Sequence, residues 1–443
     1  MGIKVYIFLK DLNDHPISKN QATRKIVYWL ELSTPNYMKS SFLKKHFKFV
    51  FFLIPILFSL KTIAQKAEPI KSDLGEVVTI HSNILKEDRR ILIYAPKDSA
   101  NPEKKYPVIY VLDADNHFAQ MVEYAKYLSR QDVAVIPRLI VIGITNTNRN
   151  RDLTPSQSNF DYSGKPDTTV NSPYKNSGGN EQFLQFIQKE LMPYVTSNYK
   201  TQPYRIFAGH SFGALTTINC LINYPEMFDA YIAVSPSFWW DQKFLLKLAD
   251  QKLKAESTLL KTLFFSNGNE DFSSPGSPFH ANVLKFDSLL NKRNIKGLDF
   301  EYLSYPLESH MTVPIKSYYD GLRFIYRHWV LSAVKDEEVS AEIIMKHYKG
   351  LSQRFGYTIL PDEAYINNWA QWLVKNPRTL SNGINLLEMN ANNFPSSSSA
   401  FTSLGDAYAM KGEKQNAIVA YKKAIEMNPT SNEIKSRLLE LQK

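Results

Sequence analysis

Cysteine is what this sequence has least of. The single residue, Cys220, excludes an intramolecular disulfide. It falls on the helix expected after a serine turn, where a free cysteine serves as a small buried apolar residue more readily than as a reactive thiol. Charge of one sign is equally scarce where it would matter. The net charge is +10, but residues 1–65 hold ten Lys and Arg against three Asp and Glu, so the rest of the chain carries only a slight positive excess. That excess, with no interleaving of arginines and aromatics, argues against a nucleic-acid partner. A long hydrophobic run is also lacking. The stretch from Phe49 to Leu60 is too short to span a bilayer comfortably and has Pro55 in its middle.

That short run has a better reading. Met38, the basic cluster Lys39, Lys44, Lys45 and Lys48, the apolar stretch, and then Thr62-Ile-Ala64 follow the order of a secretory signal with a small-residue cleavage site. Residues 38–65 are therefore expected to be a signal peptide. The mature chain would be exported, periplasmic or secreted, with no stable membrane anchor after cleavage. Residues 1–37 form an uncertain extension, which a start at Met38 would remove.

With 443 residues, of which 44% are hydrophobic and 13% aromatic, the chain is long enough for a large core plus an appendage. From Glu76 the pattern is of strands. Val77–His81 and Arg90–Pro96 alternate apolar with polar residues, whereas Pro107–Leu112 and Arg138–Ile144 are the apolar runs of strands buried on both faces. A helix to about Arg130 separates the latter two, so a mostly parallel sheet flanked by helices is expected. Residues 146–179 form a long polar loop after a strand's carboxyl end, where it would overhang a site.

Tyr204-Arg-Ile-Phe-Ala-Gly-His-Ser-Phe-Gly-Ala-Leu215 reads as a strand, a tight turn and a helix, with Ser211 at the turn between Gly209 and Gly213. A serine held there projects its Oγ outward, and the helix N-terminus behind it offers free N–H groups to an oxyanion. This run, with Ala233-Val-Ser-Pro-Ser-Phe-Trp-Trp240, resembles the putative-esterase branch of the α/β-hydrolases, which includes siderophore and several carbohydrate esterases. The resemblance covers roughly Glu76 to Val330. Ala214 departs from it, since relatives often have a further glycine there.

A serine nucleophile needs an imidazole base and a carboxylate to orient that base, in the chain order serine, acid, histidine. Leu263–Asp271 reads as a strand ending in a turn with two adjacent carboxylates, and Leu303–His310 as the next strand ending in a histidine. Glu308-Ser-His-Met-Thr-Val-Pro314 again resembles the family's histidine loop. His310 is the expected base. Glu270 and Asp271 both qualify as the acid, with Glu270 preferred. His210 is more suited to packing beside the turn, and His117 and His280 fall in loops that could line a pocket. Phe212 would give one oxyanion N–H. By resemblance the second is the backbone of Asp115. Asp113, Asp115 and His117 alternate in a way that also suits a metal, but the resemblance explains the stretch with no metal, and no cofactor is called for. Asn148–Pro155 resembles a family segment approaching the pocket, where Arg151 would meet an acidic substrate group or else form a salt bridge to Asp152. Trp239 and Trp240 are candidates for an aromatic wall.

Beyond Val330 the pattern is helical. Phe401, Leu404, Gly405, Tyr408, Ala417, Tyr421, Ala424 and Pro429 fall on the spacing of one tetratricopeptide repeat. One period earlier only Leu387 and Pro395 fit. The repeat is either a docking site for a protein partner or a helical buttress. The expected organisation is thus an α/β-hydrolase domain over 72–332 and a small all-α TPR-like domain over 340–443. The expected activity is cleavage of a small-molecule ester, siderophore or carbohydrate-linked, through an acyl-enzyme on Ser211. The alternatives are an acyltransferase using the same three residues, and a non-catalytic binding protein built on a hydrolase scaffold.

Overall fold

The two runs read as doubly buried strands are strands with every residue buried, Tyr106–Val111 and Ile140–Ile144, and Ala230–Val234 is a third of the same kind. The structure is a computed structural model and describes residues 73–443 except 100, 162, 170, 171, 173, 271–278, 332–334, 336 and 337. The extension and signal segment read over 1–65 lie outside the described residues.

Eight strands form one sheet: β1 (Glu76–Ser82), β2 (Glu87–Tyr94), β3 (Tyr106–Val111), β4 (Ile140–Ile144), β5 (Thr201–His210), β6 (Ala230–Val234), β7 (Thr258–Gly268) and β8 (Lys296–Tyr305), in the order β1-β2-β4-β3-β5-β6-β7-β8. β2 runs antiparallel to both β1 and β4, and the other pairings are parallel. Successive residues of a strand point to opposite faces, which gives the sheet two cores. Val108 and Tyr110 join Phe207, Tyr231 and Phe265 on one side. Ile109 and Val111 join Ile206, Ile232 and Phe264 on the other.

The first core is covered by α3 (Asn180–Phe186), which continues through a π turn at Ile187–Leu191 into α4 (Met192–Asn198), and by α5 (Phe212–Asn223), α6 (Trp240–Lys252) and α7 (Phe279–Arg293). The second is covered by α1 (Ala114–Leu128) and α8 (Val313–Ile325). α2 (Arg149–Asp152) is a single turn in the long loop after β4.

The tail contains α9 (Ala341–Phe355), α10 (Glu363–Leu373), α11 (Leu380–Asn393), α12 (Ser398–Lys411), α13 (Lys414–Met427) and α14 (Asn432–Gln442). α12 and α13 are the antiparallel pair of the repeat, with Tyr421 lying where a side chain on Gly405 would have to go. α10 and α11 form a comparable pair that the sequence barely announced. Here the close approach is made from the second helix, where Gly383 faces Val374 and Ala370. Gln371 bridges the two pairs by donating to Ser403 Oγ at 2.8 Å. α9 joins the tail to the sheet: its Ile344 belongs to the core of the helix pairs, whereas Leu351 and Phe355, with Ile359, belong to the second core together with Tyr204 and Tyr326.

Candidate active site

β5 ends at His210 and α5 begins at Phe212, leaving Ser211 between them with φ 60° and ψ −114°. A side chain at positive φ is strained, and such strain collects at functional turns. The turn is tight enough that a Cβ on Gly209 would sit 2.4 Å from the backbone of Gly213. Ser211 N–H donates to Val234 O at 2.9 Å, tying the turn to β6. Its Oγ shares a hydrogen bond with Ser237 Oγ at 3.1 Å.

The ends of β7 and β8 bring a carboxylate and an imidazole together. Glu270 Oε2 lies 2.7 Å from His310 Nδ1. Glu270 is only 4% exposed, and its other oxygen accepts from Ser235 Oγ at 2.6 Å. The two loops are stitched through their backbones, since Asn269 N–H donates to Glu308 O at 2.6 Å. Gly268 permits that approach, because a Cβ there would lie 2.6 Å from the same oxygen. Glu308 pairs with Lys316 at 2.9 Å, so it shapes the loop and does not touch the imidazole. Asp271, the other candidate acid, lies outside the described residues.

His310 sits beside the serine turn, its ring 4.6 Å from that of His210. His210 is buried, and burial, with His310, His117 and Arg149 nearby, holds its pKa well below the ordinary histidine value. Burial likewise lowers His117, against the opposing pull of Asp113. Both rings thus resist protonation more than a free histidine, and they pack edge to face beside the turn, 5.5 Å apart. His280 hydrogen-bonds Asn267 at 2.7 Å. Cys220 is buried, and burial pushes its thiol up, away from reactivity.

The two residues expected to donate to an oxyanion stand at two helix starts. Phe212 is the first residue of α5, and Asp115 lies in the first turn of α1; backbone N–H groups in a first turn have no intrahelical acceptor. Those two starts adjoin, since a Cβ on Gly213 would meet Asp113 Oδ2 at 3.1 Å and Leu112 Cβ at 3.3 Å. Asp113, at φ 52°, precedes α1 and is buried. Arg149 holds it with two bonds, Nε to Oδ1 at 2.6 Å and Nη2 to Oδ2 at 2.9 Å, and Asn146 adds a third at 2.7 Å. Asp115 accepts from Asn146 N–H at 3.0 Å. These carboxylates are thus engaged with the loop after β4, and among the described residues no three potential metal ligands converge.

The family model described as "Putative esterase" matches residues 82–273, and a tetratricopeptide-repeat model matches 398–431. The ferri-bacillibactin esterase BesA of Bacillus subtilis is 35% identical over 241 residues, spanning 51% of this chain and 81% of that protein. The chain belongs to the putative-esterase family. An IroE-like serine hydrolase from Shewanella oneidensis superposes with a TM-score of 0.63 at 31% identity, covering 72% of this chain and 99% of the other. A protein from Capnocytophaga ochracea, at 15% identity and a TM-score of 0.56, covers 83% of this chain and shares the fold.

Two of the side chains expected to touch substrate in this esterase are used otherwise. Arg151 donates through Nη1 and Nη2 to Glu87 at 3.0 and 2.6 Å and through Nε to Asp152 at 2.7 Å. Its guanidinium is a strut between β2 and the loop, which corrects the substrate reading in favour of the salt bridge. Arg149 takes the place beside the site: its guanidinium lies 5.2 Å from the Phe212 ring and its Nη2 reaches His210 O at 3.5 Å. Residues two apart on a helical turn point to opposite sides, so one of the two arginines had to face away. The sequence had no means of saying which.

Trp240 is also corrected. It is 1% exposed and donates through Nε1 to Ser156 O at 3.2 Å, so it is core and cannot form a wall of the cleft. Trp239 is only partly buried and belongs to an aromatic row. Its ring lies 6.2 Å from Tyr174 of the long loop, 5.8 Å from Phe212 and 5.8 Å from Phe279, which is in turn 6.1 Å from His310. Phe279 and Tyr174 carried no signal in the sequence, because one starts α7 and the other lies in the long loop, and only the fold brings them together.

Proposed function

We propose that this protein is an exported serine esterase that works through an acyl-enzyme on Ser211. The observation that carries the reading is the 2.7 Å pair of Glu270 and His310 delivered beside a serine held at positive φ. With Nδ1 directed at the carboxylate, Nε2 of His310 is the nitrogen left to take the serine proton. Ser211 Oγ attacks the ester carbonyl, and the N–H groups of Phe212 and Asp115 receive the developing oxyanion. Collapse of the tetrahedral species breaks the bond to the alcohol, which leaves with the proton from His310. Water then repeats the sequence on the acyl-serine, releasing the acid and restoring the enzyme.

The relatives named as siderophore esterases, including one from Emericella nidulans at 34% identity over 113 residues, support a siderophore-type ester as substrate. Arg149 and the row from Tyr174 to Phe279 suit an acyl group that is aromatic or anionic. The helical tail is the candidate docking module for a protein partner. It packs near Tyr204, on β5 far from the Ser211 end, so it does not line the cleft.

Hydrolysis of short-chain p-nitrophenyl esters by the parent chain, Ser211→Ala and His310→Ala tests the mechanism. Loss of nearly all turnover in both variants with the fold intact is expected. Turnover that survives in Ser211→Ala, or failure of a fluorophosphonate to label Ser211, would overturn it.

A further inference from the structure

The run Ala233–Trp240 carries the chain from the end of β6 to the start of α6. Its serines occupy a singular place in the sheet. The nucleophile follows β5 and the acid follows β7, and in the strand order β6 lies between those two. The turn after β6 is therefore the one that can touch both, and it does. Ser235 Oγ donates to Glu270 Oε1 at 2.6 Å, while Ser237 Oγ lies 3.1 Å from Ser211 Oγ.

Ser235 adopts φ 47°, a region that disfavours any residue with a Cβ and that glycine enters freely. It is 2% exposed, and its N–H is already satisfied by Ser266 O at 2.7 Å. The backbone alone would be better served by glycine. What the serine adds is the hydroxyl, and that hydroxyl is spent on the oxygen of Glu270 that His310 does not use. A carboxylate on a short turn can rotate about its terminal bond. Pinning Oε1 leaves Oε2 aimed at Nδ1, so the imidazole is held in one tautomer and one orientation.

We propose that Ser235 is a positioning residue for the reaction, acting through Glu270 by fixing the rotation of its carboxylate. The strained backbone at Ser235 is the cost of presenting that hydroxyl from the one strand end adjacent to both the nucleophile and the acid. This rests on the assignment of Ser211, Glu270 and His310 given above, and the two can fail separately.

The test compares Ser235→Gly and Ser235→Ala with the parent on p-nitrophenyl butyrate, alone and in a Glu270→Ala background. Ser235→Gly removes the hydroxyl while relieving the backbone, so the fold is expected to survive with circular dichroism unchanged. kcat should fall by about ten- to a hundredfold, the scale of a hydrogen bond to a charged group, with KM little changed. In the Glu270→Ala background the same substitution should have almost no further effect on kcat, because its target is gone. A purely structural serine would instead lower kcat by the same factor in both backgrounds, or would cost the fold in both variants, and either result overturns the proposal. So does parent-like kcat in Ser235→Gly while Ser211→Ala is dead, which leaves the esterase mechanism standing. Turnover that persists in Ser211→Ala removes the mechanism itself.

Discussion

Glu270 and His310 meet at 2.7 Å although they close two different loops, at the ends of β7 and β8. The carboxylate accepts the Nδ1 proton, so a neutral Gln at 270 would present its amide in place of the acceptor and favour the wrong tautomer. Glu270→Gln is expected to lower kcat by about 10⁴-fold, the loss seen when an orienting acid becomes an amide in a serine triad. Asp271→Asn should cost far less. Steady-state rates on one p-nitrophenyl ester decide it: comparable losses in the two variants would withdraw Glu270 as the acid.

Much of this site was legible in the chain. The serine turn needs glycines two residues either side and a strand and helix in sequence, all local features, and the proposed acid and base follow in the order the fold imposes. Between Glu270 and Asp271 the sequence carried no more than a preference for Glu270, because both are carboxylates placed just after the turn glycine. It did not say which of Arg149 and Arg151 faces the site. Ser235 was hidden for another reason, since its partner is 35 residues away and its positive φ leaves no mark on the sequence. In the tail the α10–α11 pair was faint because Gly383 supplies the close approach from the second helix, whereas in α12–α13 Gly405 supplies it from the first.

Arg149 and Arg151 are expected to separate in experiment. Arg149→Ala frees the buried carboxylate of Asp113, and with it the start of α1 that carries the proposed oxyanion donor, so kcat/KM should drop by at least tenfold, in line with loss of a paired charge. Arg149→Lys should rescue little, as an ammonium cannot make the same two-pronged contact. Arg151→Ala should leave KM unchanged and lower the melting temperature. The reverse pattern, with KM rising only in Arg151→Ala, would restore Arg151 as the substrate contact.

Stability should fall in mild acid. His210 is held well below the ordinary histidine pKa by its burial first and by its neighbours His310, His117 and Arg149 second. Above the free-histidine value of about 6.5 neither folded nor unfolded chain carries the proton, so this residue adds no pH dependence. Below it the unfolded chain binds a proton that the native ring refuses, and unfolding becomes easier as pH drops. Melting temperatures between pH 8 and pH 5 should decline through this window, and His210→Gln should flatten the decline. An unchanged slope in that variant would show that other groups dominate.

The seam between the tail and the sheet gives the last prediction. Phe355 of α9 lies 4.9 Å ring to ring from Tyr204 of β5, 5.1 Å from Tyr326 and 5.9 Å from Trp329. Arg354 beside it bonds Asp299 of β8 at 2.7 Å, and Arg327 pairs with the same carboxylate. This contact is apolar at its centre and charged at its edge, and removing α9 would expose Tyr204 and Tyr326 to water. Phe355→Ala should therefore destabilise the chain by about 3–5 kcal/mol, the range for emptying a buried aromatic site, while kcat and KM stay close to the parent because Ser211 follows the far end of β5. Urea unfolding followed by both turnover and circular dichroism reads this directly. One shared transition, shifted to lower urea in the variant, is expected. A loss of helical signal that leaves the midpoint for activity unmoved would mean that the esterase portion stands without its tail.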